Sequence, residues 1–376
     1  MFGRRIHLFT VLGFAVSLDP SWFVVAALVT FSLAQYFPRL YGGLPAAVYW
    51  AMGLAVALGL FASVVIHELS HSLVARRHGL QMRGITLFIF GGVAEMTGEP
   101  ADPKTELLMA IAGPAASLGL ALLLAGVGRL GRLVWPVPVA GVLGYLAAMN
   151  LALGVFNLVP AFPLDGGRVL RAVLWQWKGS LRWATRITSR IGAGFGLLLM
   201  GLGLLRVLTG AWDGLWYLLI GMFVRNAARM SYQQLLLRRA LEGEPVSRFM
   251  QTNPVTVPRS LSIAELVEGY IYRYHFKMFP VVDDAGRLLG CVTTRQVREL
   301  PREEWDRQTV GALAADGCGK DSTVGPETDA MGALSRMNGT GASRLLVVDG
   351  DRLLGILSLK DLLGFFALKM ELEGAA

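Results

Sequence analysis

The chain has 376 residues, of which 54% are hydrophobic and only 16% are charged, with a formal net charge of +8. Its mean hydropathy is positive, which excludes an ordinary soluble protein of this length and indicates a multi-pass membrane protein. The charge is uneven, because residues 1–240 carry 20 basic residues against 8 acids and residues 241–376 carry 15 against 19. This predicts a membrane domain over residues 1–240 and a second domain over residues 245–376. Membrane topology accounts for the basic residues, so nothing favours nucleic-acid binding.

The first segment has the basic start and apolar run of a signal peptide, with Arg4 and Arg5 before the run. We favour a different interpretation. Hydrophobic residues alternate with a period of two on both sides of Gly13, which predicts a short β-hairpin at the membrane surface.

Six apolar windows then predict six transmembrane helices. They lie near residues 20–38, 45–75, 107–128, 137–160, 187–209 and 214–230. Most reach the roughly 17 to 25 residues that span a bilayer. Basic clusters fall on one side of these spans, so the positive-inside rule places both termini and the second domain in the cytoplasm of a cell-membrane protein.

The second window contains the motif His67-Glu68-x-x-His71, and Glu68 is its single charged residue between Leu40 and Ala75. On a helix the two histidines share one face and can bind one Zn²⁺, while Glu68 can act as general base toward a water that the metal activates. A chance match in a core helix is the alternative. A carboxylate in hydrocarbon is rare and usually functional, which favours the metal site.

Zinc needs a third ligand, and Asp165 is the candidate. It follows an uncharged run from Leu133 to Leu164 and is flanked by Pro160, Pro163 and two glycines, so the backbone should open around it. Irregular backbone at membrane depth survives where it is buried in protein or lines a wet cavity. Asp165 could otherwise simply cap the next helix.

These motifs together resemble the site-2 protease family of intramembrane zinc metalloproteases. The resemblance covers residues 1 to about 235 and includes Asn157-x-x-Pro160-x-x-Pro163-x-Asp165-Gly166, Phe90-Gly91-Gly92 and Ala112-Gly113-Pro114. It implies that His67, His71 and Asp165 bind zinc and that Glu68 is the general base. It also implies that Asn157, Pro163, Gly91 and Gly92 lie beside the substrate.

Residues 84–98 have the β-branched and aromatic content of strands. We expect an exposed strand edge there to pair with an unwound substrate segment, because a substrate helix hides its carbonyls in its own hydrogen bonds. An ordinary surface hairpin or a re-entrant loop remains an open alternative. A proline at Ile89 or Val93 is the corresponding test.

The second domain contains an internal repeat. Val281-Val282-Asp283 through Thr293 recurs as Val347-Val348-Asp349 through Ser358, which predicts two α/β units over about residues 245–300 and 308–368. The pair resembles tandem cystathionine-β-synthase (CBS) modules, which implies possible ATP or AMP binding and a possible homodimer. The ribose-binding pattern is intact at Ser358 and Asp361, whereas the first repeat has Thr293 followed by Gln296.

The function predicted is an intramembrane zinc metalloendopeptidase that cleaves a membrane-spanning or membrane-tethered protein. The resemblance implies a transcription regulator, such as a sigma-factor precursor or anti-sigma factor, as substrate, with regulation by adenine nucleotides through the CBS pair. Two alternatives stay open: a CBS-regulated ion transporter or channel in which the same residues mark an ion path, and an inactive protease scaffold.

Overall fold

The structure is a computed structural model that describes residues 6–80, 82–88, 91–96, 98–131, 134–314 and 322–372, with backbone alone at residue 83 and residues 93–96. Contacts divide the chain into two units, Met1–Gln233 and Gln234–Ala376.

Helices dominate the first unit. They are α1 (Ser21–Leu40), α2 (Ala46–Arg77), α3 (Pro103–Gly131), α4 (Val137–Asn157), α5 (Asp165–Lys178), α6 (Leu181–Leu208) and α7 (Gly214–Leu241), the last of which continues into the second unit. Within the described residues, α1 to α4 and α6 are long and apolar enough to cross a membrane. They coincide with five of the six predicted windows. The sixth window lies in α7, whose apolar run is interrupted by Arg225, Asn226 and Arg229.

Local sequence explains several helix ends. Pro45 and Pro136 precede α2 and α4 with extended backbone, where a residue without an N–H removes no helical hydrogen bond. Gly179 ends α5 in the left-handed conformation, at φ 67°. Before α3, the Thr105 hydroxyl and N–H donate to the Asp102 carboxylate, and these hydrogen bonds hold the pKa of Asp102 below its ordinary value.

Glycines let α6 and α7 approach closely. A Cβ at Gly196 would lie 2.6 Å from the Gly221 carbonyl oxygen, and a Cβ at Gly203 would lie 2.6 Å from that of Gly214. Such small-residue contacts are a usual way for membrane helices to associate. The pair therefore forms a tight antiparallel hairpin.

A four-stranded sheet packs against α2. It has the order β1 (Ile6–Val11), β2 (Phe14–Leu18), β3 (Met82–Phe88), β4 (Gly91–Met96). β1 and β2 form the predicted hairpin around Gly13, which has φ 86°. Val16 and Ile85 are buried in a cluster with Val65 of α2. β4 lies at the edge of the sheet beyond β3. Ile89, a position predicted for a proline test of this edge, lies outside the described residues.

The described residues of the second unit form two small sheets. One has the order β6-β7-β8 and the other β5-β11-β10-β9. The strands are β5 (Gln251–Thr252), β6 (Val257–Pro258), β7 (Met278–Val282), β8 (Leu288–Thr293), β9 (Thr323–Val324), β10 (Arg344–Asp349) and β11 (Arg352–Ser358). The helices are α8 (Ile263–Leu266), α9 (Tyr272–Tyr274), α10 (Thr294–Glu299), α11 (Val310–Ala314), α12 (Ala330–Thr340) and α13 (Leu359–Leu372).

The two repeats exchange flanking segments. Val246 and Phe249 lie at the start of the predicted first repeat but are buried in the core of the second, beside Leu345 and Leu357. Val310 and Ala314, which lie within the predicted second repeat, are buried in the core of the first. Each core therefore depends on both halves of the unit, so we expect neither repeat to fold well alone.

Candidate metal centre

Helix α2 presents two imidazoles on one buried face. His67 and His71 are 4% and 6% exposed, and their Nε2 atoms lie 3.2 Å apart. The four-residue spacing places them one helical turn apart, as the sequence predicted. Two nitrogen atoms therefore point into the same small space.

Asp165 reaches this space from a distant part of the chain. α4 ends at Asn157 and α5 begins at Asp165, so the proline-containing segment between them breaks the helix as expected. Asp165 Oδ2 lies 3.1 Å from His67 Nε2 and 3.2 Å from His71 Nε2. These three residues form a group whose possible ligand atoms all lie within 4.8 Å of one another.

The remaining ring nitrogens have partners on α3. His71 Nδ1 donates to the carbonyl oxygen of Met109 over 2.6 Å, and His67 Nδ1 lies 2.8 Å from the hydroxyl of Ser117. A proton on Nδ1 leaves the Nε2 lone pair available to a metal, and such outer contacts orient histidine ligands in metalloproteins. Helix α3 therefore fixes both rings.

Gly113 of α3 keeps the space between the rings open. A Cβ at this position would lie well under 3.0 Å from the Nε2 atoms of both His67 and His71. A side chain at residue 113 would therefore occupy the space beside both Nε2 atoms. The donor set, two nitrogens and one carboxylate oxygen, suits tetrahedral Zn²⁺ with one position left for water or substrate.

Glu68 and the predicted substrate residues line a common cavity. It has a volume of about 560 Å³ and is bordered by His67, Glu68, His71, Asp165, Asn157, Pro163, Gly91 and Gly92. Gly92 lies against Glu68, because a Cβ there would be 2.5 Å from Glu68 Cγ. The structure therefore brings all eight sequence-predicted residues of the membrane site together.

A buried ion pair that sequence reasoning missed holds α5 against α3. Glu106 is fully buried, and its Oε1 accepts a hydrogen bond of 2.6 Å from Arg171 Nε. Arg171 also pairs with Glu99 at 3.3 Å, and Arg168, which lines the cavity, lies 3.9 Å from Glu106. A weak signal existed: Glu106 directly precedes the third apolar window. Arg171, its partner, lies on the amphipathic helix α5, which is not apolar enough to be recognised as a membrane window.

The predicted nucleotide residues lie in two separate places. Ser358 and Asp361 line a cavity of about 380 Å³ in the second unit, together with Phe276, Arg344 and Lys360. Asp361 Oδ2 accepts from the N–H of Ser358 at 2.9 Å, and Asp361 Oδ1 accepts from Gln251 at 2.9 Å.

Thr293 is not among the lining residues of this cavity. It caps α10, where Gln296 Oε1 accepts from its N–H at 2.8 Å. Gln296 therefore reproduces the capping of Asp361 without its negative charge. The two repeats therefore share the geometry of the helix cap but differ in the charge of the capping side chain.

Comparison with known proteins yields consistent matches. The sequence model of peptidase family M50 matches residues 55–132 and 132–199, and that of the CBS domain matches residues 246–303 and 320–368. A protein of Synechocystis sp. named as a zinc metalloprotease is 38% identical over 315 residues, covering 82% of each chain.

A second relative, a protein of Mycobacterium tuberculosis also named as a zinc metalloprotease, is 36% identical over 365 residues, covering 95% of this chain and 91% of the relative. A solved site-2 protease from Methanocaldococcus jannaschii shares 31% identity and covers 61% of this chain and 95% of its own, with a TM-score of 0.43.

Proposed function

The chain belongs to peptidase family M50, the zinc metalloproteases of the site-2 type, and carries CBS domains; we propose that it cleaves a membrane-spanning or membrane-tethered protein at the centre formed by His67, His71, Asp165 and Glu68. The observation that carries this proposal is the convergence of Asp165 with both histidines, at 3.1 and 3.2 Å, from a helix that begins 98 and 94 residues away.

The residues present fit a zinc ion. Three donors face one point, each histidine is oriented through its other nitrogen, and Gly113 leaves room between the rings. When bound, zinc supplies a Lewis acid that polarises the scissile carbonyl and makes water acidic enough to ionise near neutral pH. His67, His71 and Asp165 are the residues that would hold it.

Glu68 performs the proton transfers. Its carboxylate accepts a proton as water adds to the peptide carbonyl, and it returns that proton to the amine nitrogen as the C–N bond breaks. The close approach of Gly92 limits the positions that the Glu68 side chain can take. A side chain at residue 92 would displace the base from the cavity.

The substrate backbone binds at the edge of β4. This strand has β3 on one side and begins with Gly91 and Gly92 beside Glu68. An added strand would bring its carbonyls toward the metal while the sheet satisfies its hydrogen bonds. Asn157 lines the same cavity, where its amide can bond to substrate backbone, and Pro163 shapes the same wall.

Orientation and substrate class follow from the sequence arguments. Arg76 and Arg77 end α2 close to the metal ligands, so the positive-inside rule places this end, both termini and the CBS domain in the cytoplasm. His67 then lies roughly 14 Å from the cytoplasmic boundary, at about 1.5 Å per residue of helix. The family resemblance supports membrane-tethered transcription regulators, such as sigma-factor precursors or anti-sigma factors, as substrates.

The second CBS repeat binds an adenine nucleotide. Asp361 can accept from ribose hydroxyls, and Arg344 and Lys360 supply positive charge for phosphates in the same cavity. The Arg344 guanidinium lies 6.0 Å from the centre of the Phe276 ring, which offers an aromatic face to the base. Thr293 of the first repeat lacks an acidic partner, so we expect one nucleotide per chain.

Metal analysis combined with peptide hydrolysis tests the proposal. In purified full-length protein, Asp165→Asn should lose both bound zinc and cleavage of a tethered test helix, whereas Glu68→Gln should keep zinc and lose cleavage. Asp213→Asn, which removes an exposed acid of a surface pair, is the matched control and should behave as wild type. Undiminished cleavage by Glu68→Gln, or ion flux in liposomes without any cleavage, would reject the protease in favour of a transporter.

A further inference from the structure

A second cavity of about 490 Å³ lies beside the catalytic cavity and is lined by α1, α2 and α4, with Leu87 and Phe88 of β3 and Gly91 of β4. On α2 its lining residues are Ala57, Leu60, Phe61 and Val64, which recur at the spacing of one helix face. The residues from α1 and α4 follow the same spacing, and the lining side chains that the structure describes are all apolar. We call this cavity the apolar groove.

The apolar groove is continuous with the catalytic cavity. Val64, Phe88 and Phe156 line both, so a chain bound at Glu68 can extend from one into the other without crossing a wall. The groove is also accessible from outside the helices, because Ala152 is exposed and Ala26 is half-buried.

The position of the apolar groove relative to the ligands gives its reach. Along α2, Val64 precedes His67 by about 4.5 Å and Ala57 precedes it by about 15 Å, at 1.5 Å per residue. An extended peptide rises about 3.3 Å per residue, so the distance of about 15 Å from His67 to Ala57 corresponds to roughly four substrate residues. The groove lies on the side of the metal centre away from Arg76, which is the interior of the apolar span.

We propose that the apolar groove is the specificity pocket of the protease, and that it receives bulky apolar side chains from about four substrate residues on the membrane-embedded side of the scissile bond. The proposal rests on the proposed function. Lipid tails are as apolar as leucine, so selectivity in a bilayer comes from shape and close contact. A groove built mainly from three helix faces supplies such contact, and an alanine-rich segment would leave it poorly filled.

The test compares two tethered helices in full-length protein reconstituted with zinc. One carries leucine at the four positions on the membrane side of the cleaved bond, and the other carries alanine there. Ala26→Phe fills the apolar groove, whereas Ala27→Phe places the same side chain at an adjacent exposed position of α1 outside it. The measured quantity is kcat/KM for each helix, with zinc content checked for every variant.

Wild type should prefer the leucine helix. Ala26→Phe should lower kcat/KM for that helix by about tenfold or more while changing the alanine helix much less, and Ala27→Phe should change neither. An equal loss on both helices, or no change on either, would overturn the groove as a substrate pocket and fit a groove that holds lipid.

An enlarging variant keeps the proposal testable if Ala26→Phe does not fold. Phe61 closes part of the apolar groove against Trp22, with ring centres 5.1 Å apart. Phe61→Ala should increase cleavage of a helix carrying tryptophan in place of leucine, and no gain would contradict the proposal. If wild type cleaves none of these helices, the protease function itself is refuted, and the groove assignment with it.

Discussion

The carboxylate of Glu106 on α3 is paired with the guanidinium of Arg171 on α5, and this buried pair fixes the helix that begins with Asp165. Helix α3 also carries Met109 and Ser117, which orient the two histidines. One helix thus positions all three candidate ligands, two through hydrogen bonds and the third through an ion pair.

Removing the negative charge of this pair should destabilise the protein and weaken zinc binding. Among the described residues, Glu106→Gln leaves the buried Arg171 with Glu99 as its acidic partner, and breaking a buried pair costs about 3 to 5 kcal/mol. Arg206→Gln breaks an exposed pair with Asp213 and should cost less than about 1 kcal/mol. Thermal unfolding and zinc content check both variants; equal effects of the two would contradict a positioning role.

A methyl group at residue 113 should abolish zinc binding. Gly113→Ala would place Cβ well under 3.0 Å from both Nε2 atoms, so the rings must move apart or the ion must leave. Gly119→Ala lies on the same helix with nothing within 4 Å and should be neutral or stabilising by about 0.4 to 1 kcal/mol. Metal analysis decides the matter, and full zinc occupancy in Gly113→Ala would show that the ion lies elsewhere.

Proline at the edge strand should separate substrate binding from metal binding. N–H groups alternate in direction along an antiparallel strand, so of Val93→Pro and Ala94→Pro one removes a bond to β3 and the other an N–H at the open edge. The edge-facing variant should keep its zinc and its unfolding temperature but lose cleavage. If the variant that keeps its unfolding temperature cleaves substrate at the wild-type rate, the substrate does not pair with β4.

Asp361→Asn should weaken nucleotide binding while keeping the helix cap. Asparagine still accepts from Ser358, but the charged hydrogen bond to ribose is lost, worth about 1.5 to 3 kcal/mol or roughly 10- to 150-fold in affinity. Gln296→Asn, a change at the equivalent cap position of the first repeat that removes no charge, should leave nucleotide binding unchanged. Calorimetry with ATP and AMP measures the affinity of both variants. Absence of binding to the wild-type protein would exclude regulation by adenine nucleotides through the CBS pair.

Much of the membrane site was predictable because its chemistry conflicts with its surroundings. Glu68 stands alone in an apolar window, and Asp165 follows prolines where a helix must break, so both positions were identifiable without coordinates. Five predicted windows are membrane-length helices for a simpler reason, since length and hydropathy alone identify them.

The parts that sequence did not predict depend on contacts between distant segments. Glu106 and Arg171 are 65 residues apart, and each alone looks like an ordinary charge at a helix end. The exchange of Val246 and Val310 between the two CBS cores is likewise invisible in a repeat, because similarity identifies equivalent strands and does not show where flanking residues pack.

Helix α2 runs unbroken for 32 residues, and it carries both the wall of the apolar groove and the two histidines. The distance between the groove that binds the substrate side chains and the centre that attacks the peptide bond is therefore fixed by the length of one continuous helix. Such an enzyme selects the bond that it cleaves by its distance from the anchoring side chains. It can therefore tolerate many sequences at the bond itself, provided that the anchoring residues lie the correct number of positions away.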